Sequence, residues 1–156
     1  MKQFDIEEVK QYIKNSTAES KIYLGADSER NRVERIWYAD YTVAIVVHID
    51  GKHGCKIFGY HQRERDYDQR KDKPNVRLMT EVYKVSQLYL ELKDVIEDRW
   101  VEVHLDINPS VKHASNAVVN QAIGYVRGTC NLEALIKPDA FAASYAADRL
   151  KFILNR

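Results

Sequence analysis

The hydrophobic positions change period several times along the chain, and each change marks an element. In residues 4–15, Phe4, Ile6, Val9, Tyr12 and Ile13 recur near helical spacing behind Asp5, an N-cap residue type; this predicts a leading helix packed outside the core. Residues 21–28, KIYLGADS, then alternate. Ile22, Leu24 and Ala26 point one way and Tyr23, Gly25 and Asp27 the other, as in a short strand ending at Asp27, with Gly25 leaving room on the acid's own face. The polar run from Ser28 to Arg35 reads either as a loop or as the twisted start of the next strand. From Ile36 to Ile49 the chain is rich in β-branched and aromatic residues and leads into Asp50-Gly51, a hairpin signal whose partner strand is Gly54 to His61.

Residues 62–77 break the pattern with Pro74 and dense mixed charge: Arg63, Arg65, Arg70, Lys71, Lys73 and Arg77 against Glu64, Asp66, Asp68 and Asp72. A loop of that length is a place to look for function. Val76 to Asp98 is the longest helix, with Leu78, Val82, Val85, Tyr89, Leu92 and Ile96 forming an apolar stripe. Trp100 to Ile107 alternates again and is ended by Asn108-Pro109. A helix from Ser115 to Arg127, stopped at Gly128, a short strand from Leu132 to Lys137, and an alanine-rich helix opened by Pro138-Asp139 complete the chain. The sum is an antiparallel meander of three strands followed by α, β, α, β, α. Right-handed crossovers place strand four beside strand one and strand five beyond it. The expected fold is α/β, with a five-stranded mixed sheet of order 3-2-1-4-5 flanked by helices, in a single domain over residues 1–156 whose first 18 carry the leading helix.

Composition narrows the partners. The formal net charge is +1, so a nucleic acid would have to be met by a local basic surface rather than by the global field. Arg63 to Arg77, assisted by Arg30 and Arg32, is the best such stretch, with Tyr67 as a stacking surface. Cys55 and Cys130 stand far apart and form no ligand spacing, as expected of reduced thiols. The charged N-terminus has no signal-peptide core and the longest aliphatic run, Val43 to Val47, is too short to span a bilayer, so the expectation is a cytoplasmic protein with no membrane partner. Neither GxxxxGKS/T nor GxGxxG occurs, there is no nucleophile elbow, and His48, His53, Cys55 and His61 match no familiar zinc spacing.

The candidate chemistry lies in four acids from four elements. If strands one, four and five run parallel, their C-terminal ends gather at one edge, where ligands of open α/β sheets bind. Asp27 and Asp106 lie at such ends, Asp139 starts the helix leaving that edge, and Glu81 sits in the first turns of the long helix beside its buried stripe. Carboxylates brought together repel and raise one another's pKa, unless a hard divalent cation offsets the charge. Mg²⁺ takes such oxygen ligands and keeps substrate phosphates in its shell. Two ions about 3.5–4 Å apart suit phosphodiester hydrolysis. Secondary candidates at the same edge are Ser28, Asn108, His113 and Lys137.

The segments YLGADSE, LMTEVY, VHLDIN and IKPDAFAASYAADR resemble those of the YkuK-type family of ribonuclease H-like predicted nucleases, over roughly Lys21 to Leu150. The resemblance implies metal ligands at Asp27, Glu81, Asp106 and Asp139, two Mg²⁺ or Mn²⁺ ions, a nucleic-acid substrate, and products with a 5′-phosphate and a 3′-hydroxyl. Asp148, on the same helix as Asp139 and roughly 13 Å along it, competes for the fourth place; Asp139 is preferred because the helix start lies nearer the strand ends. Two rival expectations are a non-catalytic nucleic-acid- or protein-binding module on the same scaffold and a junction-specific endonuclease acting as a homodimer.

Overall fold

The computed structural model describes residues 4–49, 54–68, 75–105, 107 and 115–136. In these, the elements run α1 (Ile6–Asn15), β1 (Lys21–Val33), β2 (Ile36–His48), β3 (Cys55–Arg65), α2 (Asn75–Ile96), β4 (Trp100–Leu105) and α3 (Ser115–Cys130). The sheet has the order β3-β2-β1-β4, with β1 antiparallel to β2, β2 antiparallel to β3, and β1 parallel to β4. That agrees with the expected order for four strands. Among the described residues a fifth strand is not formed: Leu135 makes a single parallel bridge to His104, donating from its N–H to the Val103 carbonyl and accepting from the Leu105 N–H. Asn131 closes α3 in left-handed backbone (φ 56°), and the residues after Ile136 lie outside the described ones. The hairpin signal Asp50-Gly51 and the helix opened by Pro138-Asp139 lie outside the described residues.

The first strand is longer than its alternation suggests. Pairing with β2 continues without a break from Lys21↔His48 to Val33↔Ile36, so Ser28–Val33 belongs to the first strand and only Glu34 and Arg35 form a turn. The chain reverses in two residues, Glu34 (φ 49°) and Arg35 (φ 72°), both left-handed. A tight hairpin of this handedness normally carries Asn-Gly; Glu-Arg gives no such signal, and so the turn is invisible to a turn-residue reading. Helix α3 likewise runs through Gly128, and ends only at Cys130, where the Asn131 N–H closes on the Arg127 carbonyl at 3.0 Å. Asp5 caps α1 as expected, its carboxylate accepting from the Glu7 N–H at 3.0 Å. No helix among the described residues is long and apolar enough to cross a membrane.

One face of the sheet carries the core. Ile22, Leu24 and Ala26 of β1, Val43, Ile45 and Val47 of β2 and Val103 and Leu105 of β4 pack against Val82, Val85, Leu92 and Ile96 of α2, Val9 and Ile13 of α1, and Ala122 and Val126 of α3. The apolar stripe of α2 is thereby the main seal of the core. Beneath it, Arg99, just past α2, fastens two helix ends together. Its guanidinium donates to the carbonyls of Lys14 in the last turn of α1, of Ser16 and Thr17 just after it, and of Val95 and Ile96 in the last turn of α2, at 2.8–3.5 Å. These are carbonyls that helix ends leave without partners. Hydrogen bonds from a charged donor contribute about 1.5–3 kcal/mol. Arg99→Ala should therefore lower the unfolding free energy in urea by about 2–3 kcal/mol. Arg99→Lys should recover less than half of that loss, because an ammonium cannot spread donors over carbonyls of two elements.

Candidate functional site

The sheet face away from α2 is organised in rows. Across β1, β2 and β3, the register aligns Gly25 with Ala44 and Gly59, and the next same-face row, Asp27 with Thr42 and His61. Small residues thus sit directly beside the acid's row. Within that row the Thr42 hydroxyl, in a side chain 1% exposed, lies 2.8 Å from His61 Nδ1. One row further out, Asp40 is held by Arg63, through two hydrogen bonds, and by the Asn31 amide. Arg63 is the main reason the Asp40 carboxyl lies below its ordinary range, against an opposing push from burial and with further help from Asn31.

Asp27 is not at a strand end, since β1 continues to Val33. It is, however, the first β1 residue beyond the parallel pairing with β4, whose last pair is Ala26↔Leu105. From Asp27 onward, β1 is paired only on its β2 side among the described residues. In sequence, Asp106 follows Leu105 as Asp27 follows Ala26. Asp106, Asp139, Asp148, Asn108, His113 and Lys137 all lie outside the described residues.

Glu81 is described, and it is buried at 5% exposure in α2. Its charge acts on the hydroxyl of Tyr41, which is the register partner of Ser28. Glu81 therefore stands over the β1–β2 pair one residue beyond Asp27, approaching from the α2 side, whereas Asp27 leaves β1 on the opposite face. Asp27 and Glu81 thus lie on opposite sides of the sheet. Among the described residues, no group of three or more His, Cys, Asp or Glu side chains is placed to share a metal ion. The donor types present, a half-buried Asp and a buried Glu, are those that hard divalent cations take.

Tyr41, at 3% exposure, is pushed up to about 12 by its burial; a hydrogen bond with Thr80 opposes the shift, and the charges of Glu64, Glu81 and Asp66 add to it. Its hydroxyl stays neutral beside the acids. No sequence signal distinguishes Tyr41 from the other core tyrosines, and the same holds for Thr42 and His61, whose place in the Asp27 row is fixed only by strand register. The sign of the Tyr41 shift sets a pH dependence. Because the folded state holds this proton more tightly, its contribution is complete below about pH 10 and is lost as pH rises through about 12. Chemical denaturation at stepped pH should show stability falling by roughly 2–3 kcal/mol across that window in excess of Tyr41→Phe, which should flatten the fall.

A search of curated proteins and a search of solved structures found no match. The family model for ribonuclease H-like proteins matches residues 5–151, so it takes in all of the described elements from α1 to α3. The YkuK-type resemblance of the four motif segments is consistent with that match. With its mixed sheet, central β1 and helix-borne Glu81, the chain belongs to the ribonuclease H-like family.

Proposed function

We propose that the protein is a divalent-metal-dependent nuclease that hydrolyses phosphodiester bonds of a nucleic acid by a two-metal mechanism. The observation that carries this reading is the position of Asp27, the first residue of the central strand beyond its parallel neighbour, with the buried Glu81 over the adjoining Ser28–Tyr41 pair. Membership of a family of nucleic-acid-cleaving folds supports it. Asp27, Glu81, Asp106 and Asp139 would hold Mg²⁺ or Mn²⁺, with Asp148 as the alternative fourth acid. When bound, the ions supply charge to polarise the scissile phosphate and to acidify the attacking water.

The chain's own residues have distinct tasks in this scheme. Asp27 serves as a ligand held in place by the continuous β1–β2 ladder. Glu81 brings its carboxylate in from a rigid helix, so little ordering is needed when a cation arrives. Tyr41, held neutral, adds no charge to the acids and limits water around Glu81. Ser28 is assigned to a substrate phosphate or to orienting Asp27, Lys137 to a substrate phosphate, Asn108 to holding a water, and His113 to proton transfer or product departure.

Asp27→Asn should cut hydrolysis of a panel of single-stranded RNA and DNA, hybrid, duplex and branched DNA by at least about 100-fold, while circular dichroism and melting temperature stay unchanged. Calorimetric Mn²⁺ uptake should fall with it. Equal cutting by both proteins would remove Asp27 from the chemistry. A wild type that takes up no Mn²⁺ would remove the metal.

A further inference from the structure

Next to the candidate site, Tyr67 is 70% exposed on backbone that is held on every side. The Asp66 carboxylate accepts from Arg30 Nε and from the Asp68 N–H, and the Asp66 N–H donates to the Trp37 carbonyl. Asp68, buried at 8% exposure, caps α2 by accepting from the N–H groups of Val76 and Arg77 at 2.9 Å, while its carbonyl accepts from Arg30 Nη2 at 3.1 Å. A large aromatic ring on so fixed a base loses little freedom when something stacks on it.

Between Tyr67, Arg65 and the wall formed by Tyr41, Val76 and Thr80 lies a hollow of about 430 Å³. That volume is within the range of small-ligand sites. The wall is also the one that leads to the acids: Thr80 precedes Glu81, and Tyr41 is within reach of its charge. At the lip, Glu64 and Asp66 are already matched to Lys84 and Arg30. Arg65, by contrast, pairs with no carboxylate among the described residues, so the unmatched charge at the lip is positive. A flat ring with polar edges, attached to an anionic chain, is complementary to two tyrosines and an arginine.

We propose that this hollow takes an unpaired nucleobase stacked on Tyr67, with its flanking phosphate on Arg65, so that the strand delivered to the acids is single-stranded. The proposal rests on the nuclease reading and narrows its substrate. In a duplex each base is paired and stacked and offers only a groove edge, which cannot enter a hollow between two aromatic walls.

The test is fluorescence anisotropy in EDTA, which reports binding without cleavage. The probes are fluorescein-labelled 12-nucleotide RNA and DNA, each as a single strand and as a duplex of the same sequence. The single strands should bind at least about ten-fold tighter than the duplexes. Tyr67→Ala should weaken single-strand binding about 5- to 150-fold, Tyr67→Phe should retain it, and neither should shift the melting temperature of so exposed a site. Duplex binding equal to or tighter than single-strand binding, no binding of either, or an unchanged Tyr67→Ala would overturn the proposal. Intact discrimination without any metal-dependent cleavage would sink the nuclease reading alone. Cleavage without discrimination would sink this one alone.

Discussion

The structure depends on the unequal pairing of its central strand. β1 bonds to β2 over its full thirteen residues but to β4 over only six, from Lys21↔Trp100 to Ala26↔Leu105. The covered part is a core strand: Ile22, Leu24 and Ala26 are sealed beneath α2, at 0–2% exposure. The rest of β1, which carries Ser28, Arg30 and Arg32, continues beside β2 and, as far as the Asn31–Tyr38–Arg65 row, β3. Asp27 falls at the junction. There the chain is anchored by a continuous antiparallel ladder, which gives the Asp27 carboxylate a rigid support.

Arginine does a second kind of anchoring, at places where backbone would otherwise be left unsatisfied. Arg99 gathers carbonyls from the ends of α1 and α2, and Arg30 ties the segment after β3 to the β1–β2 extension through Asp66 and the Asp68 carbonyl. Arg30 also lies 4.1 Å from the centre of the Trp37 ring, so one guanidinium stacks and bonds at once. A planar, permanently charged fork suits both tasks. The result is that the mixed charge of this region is not a solvated scatter. Among the described residues, several of its acids are paired within the fold, as in Arg30–Asp66, Arg63–Asp40 and Lys84–Glu64.

Periodicity made the elements legible where one physical cause acted alone. The stripe of α2 and the alternation of β4 are burial patterns, and both were readable with their strand order because crossover handedness leaves few choices. Burial says nothing, however, about the solvated half of β1, where ladder hydrogen bonds rather than apolar contacts decide the structure; Ser28–Val33 therefore looks like loop while being strand. The left-handed Glu34-Arg35 turn and the passage of α3 through Gly128 are further cases in which tertiary pairing outweighed local residue preference. At the candidate site, residue type draws attention to Asp27 and Glu81, whereas the neighbours Thr42, His61 and Tyr41 are placed beside them only by register, which no single-strand pattern contains.

Register also sets the relation between the two described acids. Asp27 leaves β1 on the sheet face away from α2, whereas Glu81 comes from α2 itself and competes with the core for space, as its 5% exposure illustrates. Among the described residues, the parallel pairing of β1 with β4 reaches the Ala26↔Leu105 pair, immediately before Asp27. Asp27 therefore takes its place from two ladders at once: the antiparallel one fixes its row with Thr42 and His61, and the parallel one fixes its offset from the end of β4.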